Sequence, residues 1–185
     1  MTGVQTCALP IYLDAYTAVL QAPEVRASLH LPDDIGREQA WQQMAMWLGQ
    51  WELRGTGQWA LEEKSSGAFV GRAGLHCPER IDWPGVEVGW ALHPQHWGKG
   101  YATEAVRAMI DHVFSDTDAE AIQSAARVTN PPSRRVLEKC GFQWSGAGLL
   151  RIRAIASSAP IDRFRLDRGL WASIKAWGQT RRVQA

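Results

Sequence analysis

The sequence predicts a mixed α/β fold, a largely antiparallel central sheet flanked by helices, built as one domain. Three observations lead there. Between residues 58 and 93 three strand-like runs follow one another across short, turn-rich connections, the pattern of an antiparallel meander. From Tyr101 to Phe114 apolar residues repeat with helical period and lead into another strand-like run. The chain has 185 residues, 45% hydrophobic and 21% charged, which suits a single core.

The elements can be justified in order. Met1–Ile11 shows neither helical nor strand periodicity and joins awkwardly onto Tyr12, so it is expected to be a foreign or disordered segment. The domain is expected over 12–178, with a tail over 179–185. From Ala15 the spacing of Tyr16, Val19 and Leu20 is helical, and Pro23 closes that stretch. A longer helix is expected over Arg37–Arg54, burying a face of Trp41, Met44, Leu48 and Trp51. Strands are expected over Gln58–Glu63, Ala68–Cys77 and Val86–His93. The first two are separated by the turn Lys64-Ser65-Ser66-Gly67, the last two by a loop through Pro78 and Pro84. In the Tyr101–Phe114 helix, Ala102, Ala105, Val106, Met109, Ile110 and Val113 form the apolar stripe, and Ile122–Val128 reads as the next strand. A short helix over Ser133–Cys140 ends at Gly141, where a helix favours glycine. Phe142–Trp144, Leu149–Ile155 and Ile161–Leu166 complete the sheet.

Composition narrows the function classes. Net charge is +1, but residues 1–130 hold 9 Lys and Arg against 16 Asp and Glu, net −7, while 131–185 hold 11 against 3, net +8. A basic segment of that kind suits an anionic ligand. Without a nucleic-acid-binding motif, nucleic acid is not the expected partner. No apolar run approaches the roughly 20 residues of a membrane span, and no secretory leader pattern opens the chain, so a cytoplasmic protein without a membrane partner is expected. Cys7, Cys77 and Cys140 are spaced like neither a zinc site nor a disulfide framework, and reduced thiols are expected. His93 and His96 lie three apart without a third ligand, so no metal is expected there. Cys140 reads as packed rather than nucleophilic.

The chemistry concentrates in Gln95-His96-Trp97-Gly98-Lys99-Gly100-Tyr101-Ala102, at a strand-to-helix junction. Two glycines one residue apart let backbone approach a ligand, and the first N–H groups of the helix favour a phosphate. A P-loop needs a hydroxyl residue after Lys99, where Gly100 stands; a dinucleotide fingerprint needs a third glycine near Thr103. Neither template fits. A plain tight turn remains the alternative reading of these glycines alone.

Gln95-x-x-Gly98-x-Gly100-Tyr101-Ala102-Thr103-Glu104-Ala105, preceded by Val86–Leu92, resembles the pyrophosphate-binding motif of GNAT N-acetyltransferases. Asn130-Pro131-Pro132-Ser133 and Glu138-Lys139-Cys140-Gly141-Phe142 follow at the family's spacing and are similar to the branch that acetylates ribosomal-protein amino termini. Asp162–Leu166 resembles that branch's final strand. The family's opening strand, with its Arg-Leu-x-Leu-Arg-like run, has no counterpart before Ala15.

The resemblance implies acetyl-CoA as acetyl donor and an amine as acceptor. Backbone N–H groups of Trp97, Gly98, Lys99, Gly100, Tyr101 and Ala102 would hold the CoA pyrophosphate, with Gln95 shaping the loop. Main chain near Leu92 would pair with the pantetheine arm. Asn130 would contact that arm or position Ser133, and Arg134, Arg135 and Lys99 would offset phosphate charge.

Direct attack on a thioester needs a neutral amine and a protonated leaving thiol. The resemblance makes Glu87 the candidate base, through water, and Ser133 the candidate acid. The alternatives are a solvent-facing Glu87 and a Ser133 that only caps its helix. Trp41, Trp47, Trp51, Trp59 and Trp83 crowd the part of the chain where the family builds its acceptor pocket, although core packing also accounts for them. A monomer or homodimer is expected. A CoA-binding relative without catalysis is the alternative function.

Overall fold

The computed structural model describes residues 3–5, 9–77, 85–152 and 157–183. Among them the strands are β1 Gly3–Gln5, β2 Gln58–Glu62, β3 Phe69–His76, β4 Val86–Leu92, β5 Ala121–Arg127, β6 Gln143–Ile152 and β7 Ser157–Asp167. The helices are α1 Leu13–Gln21, α2 Pro23–Leu29, α3 Arg37–Arg54, α4 Tyr101–Asp116, α5 Pro131–Lys139 and α6 Arg168–Val183. The sheet runs β1-β2-β3-β4-β5-β7-β6, antiparallel at every step except β4–β5. The mixed, largely antiparallel α/β fold read from the sequence is present.

Each face of the sheet has its own core. On one, α4 buries Val106, Met109, Ile110 and Val113 against Val70, Val88, Ile122 and Phe164. Full burial of each such side chain contributes about 1.5–3 kcal/mol. On the other, α1, α2 and α3 bring Tyr16, Leu20, Val25, Met44 and Trp47 onto Ala60 and Ala91.

The buried face of α3 differs from the expected one. Ala40, Met44 and Trp47 are buried, while Trp41 is 60% and Leu48 38% exposed. The sets share only Met44, so the helix is turned by roughly 50° from the expected orientation. Trp47 decides the orientation: its ring meets Tyr16 edge-on at 5.1 Å, and the Arg72 guanidinium lies over it at 4.8 Å. Trp51 is half-buried and donates its Nε1–H to the Gln58 carbonyl at 3.1 Å.

Other boundaries are also corrected. Within Met1–Ile11, Gly3–Gln5 pairs with Ala60–Glu62 of β2, so this stretch does have strand character and covers that edge. The two expected pieces Phe142–Trp144 and Leu149–Ile155 are one strand, β6, with an irregular register between Trp144 and Gly146. Residues 153–156 lie outside the described residues. α5 begins at Pro131, before Ser133. The expected tail from 179 continues α6 as far as Val183.

Candidate active site

β4 and β5 pair only at Val86–Ile122 and Glu87–Gln123, although both strands continue several residues further. At the apex of the resulting gap, the buried Ser124 hydroxyl donates to the Val88 carbonyl at 2.9 Å in place of a ladder bond. Register determines which peptide groups face the gap. His93 N–H donates to Val70 O, so His93 and Ala91 bond to β3, while Trp90 and Leu92 direct their peptide groups the other way. The Leu92 carbonyl accepts from the Trp97 indole at 2.8 Å. That leaves both peptide groups of Trp90 and the Leu92 N–H turned toward the gap.

Where β4 ends, a turn of 3-10 helix over Pro94–His96 leads into the glycine loop. Gly98 and Gly100 have φ of 76° and 89°, left-handed values that cost a side-chain-bearing residue energy. Trp97 N–H is already given to Pro94 O and Glu104 N–H to Gly100 O. The expected Trp97–Ala102 set of donors therefore shifts to Gly98 through Thr103, at the positive end of the α4 dipole.

Tyr101 is anchored by its hydroxyl, which donates to Glu63, and Glu63 also accepts from Ser66. These bonds hold the Glu63 carboxyl below its ordinary range and raise the Tyr101 phenol. Lys99 points its Nζ at Glu63, 3.9 Å away, and its side chain does not line the cavity.

Gln95 stays outside too, its amide 3.0 Å from His96 Nε2. His96 is buried in the cavity wall, and burial, with Lys99 nearby, lowers its pKa despite Glu63. Among the described residues no group of three or more potential metal ligands occurs.

α5 supplies the opposite wall. Asn130 Oδ1 accepts from Ser133 N–H at 3.2 Å, so Asn130 is the cap, and the alternative of Ser133 as cap is corrected. Ser133 lines the cavity with Pro132, Arg135, Val136 and Lys139, spacings that share one helix face. Arg134 turns away: it bonds Glu138 at 2.8 Å and Asp162 at 3.1 Å and lies over the Phe164 ring. The cationic pair beside the cavity is Arg135 and Lys139. Lys139 was missed, though its i, i+4 relation to Arg135 was legible.

Glu87 lies at the start of β4, outside the lining, with its carboxylate 4.0 Å from His76 Nδ1. None of Trp41, Trp47, Trp51 and Trp59 lines the cavity, and Trp83 and Cys7 lie outside the described residues. The tryptophans that do are Trp90 and Trp97.

The cavity measures about 450 Å³ and joins Trp90–Leu92, the glycine loop, one face of α5, and Val25, Ser28 and Leu29 of α2. Its two ends differ. Unpaired helix N–H groups and two cations suit an anion such as a diphosphate, while the β4 edge suits an extended chain bearing amides.

Comparison with known proteins places this arrangement. The chain is 36% identical over 92 residues to the uncharacterized protein YkkB of Bacillus subtilis, covering 49% of this chain and 53% of that one. It spans between about a quarter and three fifths of the length of the curated relatives it matches. A GNAT-family acetyltransferase structure from Bordetella pertussis, described as putative, superposes with TM-score 0.72 at 22% identity, over 89% of this chain and 94% of that one. The spermidine N-acetyltransferase of Vibrio cholerae, solved with CoA and spermine, superposes at 0.70 with 14% identity, over 93% and 97%. Residues 10–143 match the acetyltransferase (GNAT) domain family, and the chain therefore belongs to that family.

Proposed function

We propose that this protein moves an acetyl group from acetyl-CoA to a primary amine, by direct attack in a ternary complex. The observation that carries the reading is the convergence on one cavity of the β4 edge, the unpaired N–H groups of Gly98–Thr103 and the α5 face bearing Ser133, Arg135 and Lys139. The donor fits these residues. Its diphosphate would take the loop N–H groups, its remaining phosphate charge Arg135 and Lys139, and its amide-bearing arm the peptide groups of Trp90 and Leu92. The likeness to a structure solved with CoA is in keeping with this.

In the proposed step the amine nitrogen attacks the thioester carbonyl, the carbon–sulfur bond breaks, and the sulfur leaves as a thiolate. Glu87 accepts the ammonium proton beforehand, through water that bridges its distance from the cavity. Ser133 gives its hydroxyl proton to the thiolate and recovers one, through water, from the nitrogen of the newly formed amide. Asn130 positions Ser133 by capping α5. The acceptor is a protein amino terminus, as in the ribosomal-protein branch that Asn130–Ser133 and Glu138–Phe142 resemble, or a small amine. The catalytic unit is assigned to residues 12–178.

Free-thiol release from acetyl-CoA in the presence of amines tests the reading. Ser133→Ala is expected to lower turnover about 100-fold while acetyl-CoA binds as before. Unchanged turnover removes Ser133 from the mechanism. Acetyl-CoA binding with no thiol release from any amine would favour a binding module instead.

A further inference from the structure

The acceptor class can be read from the sheet face opposite α4 and α5, on the acetyl-transfer reading above. The cavity reaches both faces at the β4–β5 gap, with the glycine loop and α5 on one and Val25, Ser28 and Leu29 of α2 on the other. Ala91 packs with Val25 on the α2 side, so alternation places Gly89 and Glu87 there too. The Glu87–Gln123 pair carries Gln123, Ala125 and Arg127 to the same face. β7 adds Arg165 beside Gln123 and Arg163 beside Ala125, and β3 sets Gly74 beside Gly89.

This strip is bare. Among the described residues, a β carbon on Gly89 would meet no atom within 4 Å, so there is room for a ligand over the backbone at that position. The wall is apolar at Val25, Leu29 and Ala91, with the Ser28 hydroxyl among them.

The charges argue against a polycation. Among the described cavity-lining residues no Asp or Glu occurs to receive a second ammonium. Glu87 shares this sheet face with Arg127, Arg163 and Arg165, of which Arg165 is bound to Asp167 at 2.6 Å. Arg127 donates Nη2–H to the Leu29 carbonyl at 3.2 Å, which brings its charge to the α2 wall. A second ammonium on the acceptor would meet repulsion in a poorly hydrated site.

We infer that the acceptor is a primary amine on an apolar body with no second positive charge. Its nitrogen lies toward Glu87 and its body over Gly89 against Val25 and Leu29. Free arylalkylamines and peptides with an apolar first residue share this chemistry. Contact with the apolar wall also favours the neutral amine that attack requires.

The test compares 2-phenylethylamine, an amidated peptide beginning Phe-Ala, and spermidine in thiol release at saturating acetyl-CoA. One of the first two should exceed spermidine in kcat/KM by about tenfold or more, and which one does identifies the source. Gly89→Val, a residue suited to strands, should raise KM for that amine about tenfold and leave the acetyl-CoA dissociation constant unchanged. Leu29→Glu, a second variant, should narrow the preference over spermidine. Trp41→Ala, on the exposed side of α3, should change neither constant. The inference is overturned by a preference for spermidine, by an unchanged amine KM in folded Gly89→Val, or by acetyl-CoA binding with none of the three amines acetylated. A wild-type protein that does not bind acetyl-CoA overturns it differently, by removing the transfer reading beneath it.

Discussion

Single residues at this site are set by their immediate partners more than by type. Cys140 closes α5 against Thr103 of α4, and burial pushes its thiol up to about 11, against the weaker opposing effect of Arg107. The sequence reading of a packed cysteine is supported by this geometry. Native protein at pH 8 is therefore expected to alkylate Cys77, which is partly exposed, well before Cys140. Equal rates, followed by peptide mapping, would contradict the assignment.

His96 gives a second check. Its folded pKa lies below 6.5, so the unfolded chain binds the proton more readily. The associated stability is present above about pH 6.5 and is lost as pH falls toward the folded value. Denaturant titrations should show His96→Gln losing less stability than wild type on acidification. Parallel losses would place the pH dependence elsewhere.

Elements explain which residues reach the cavity. α5 is nine residues long with Asn130 as its cap, so Pro132, Ser133, Val136 and Lys139 share a face and Arg134 cannot join them. Replacing Arg135 and Lys139 together with alanine should weaken acetyl-CoA binding about tenfold at low salt, and less at high salt. Arg134→Ala should leave the dissociation constant unchanged, and calorimetry on both variants distinguishes the two roles.

Legibility in the sequence followed the same division. The loop and its order relative to Asn130 and Ser133 were readable because turns and caps are local chemistry. The buried face of α3 was not, because Trp41 and Trp47 are equally apolar, and only Tyr16 and Arg72 from other elements decide which turns inward. α6 lies beyond the last element the sequence reading assigns, although Leu170, Ile174 and Trp177 recur at helical spacing. Its packing rests partly on Trp171, which meets the Phe114 ring at 5.2 Å and donates to Asp111 at 3.0 Å.

At the scale of the molecule, β4 and β5 are both held by the α4 core, and β4 also by the core under α1–α3. Val88 and Leu92 belong to the α4 core and Ala91 to the α1–α3 core, while Ile122 and Ala126 fix β5. Phe164, on β7 beside β5, is buried at the centre of the first core and packs under Arg134. Phe164→Ala is expected to cost about 3–5 kcal/mol of stability by equilibrium unfolding, with a loss under 1 kcal/mol contradicting its central place.

The donor site is the claim on which the rest stands, and isothermal titration of acetyl-CoA into the folded protein tests it most directly. The account predicts one equivalent bound with a dissociation constant on the order of micromolar, weakened when Arg135 and Lys139 are removed. No heat at millimolar acetyl-CoA, from a sample whose cooperative melting shows it folded, would contradict it.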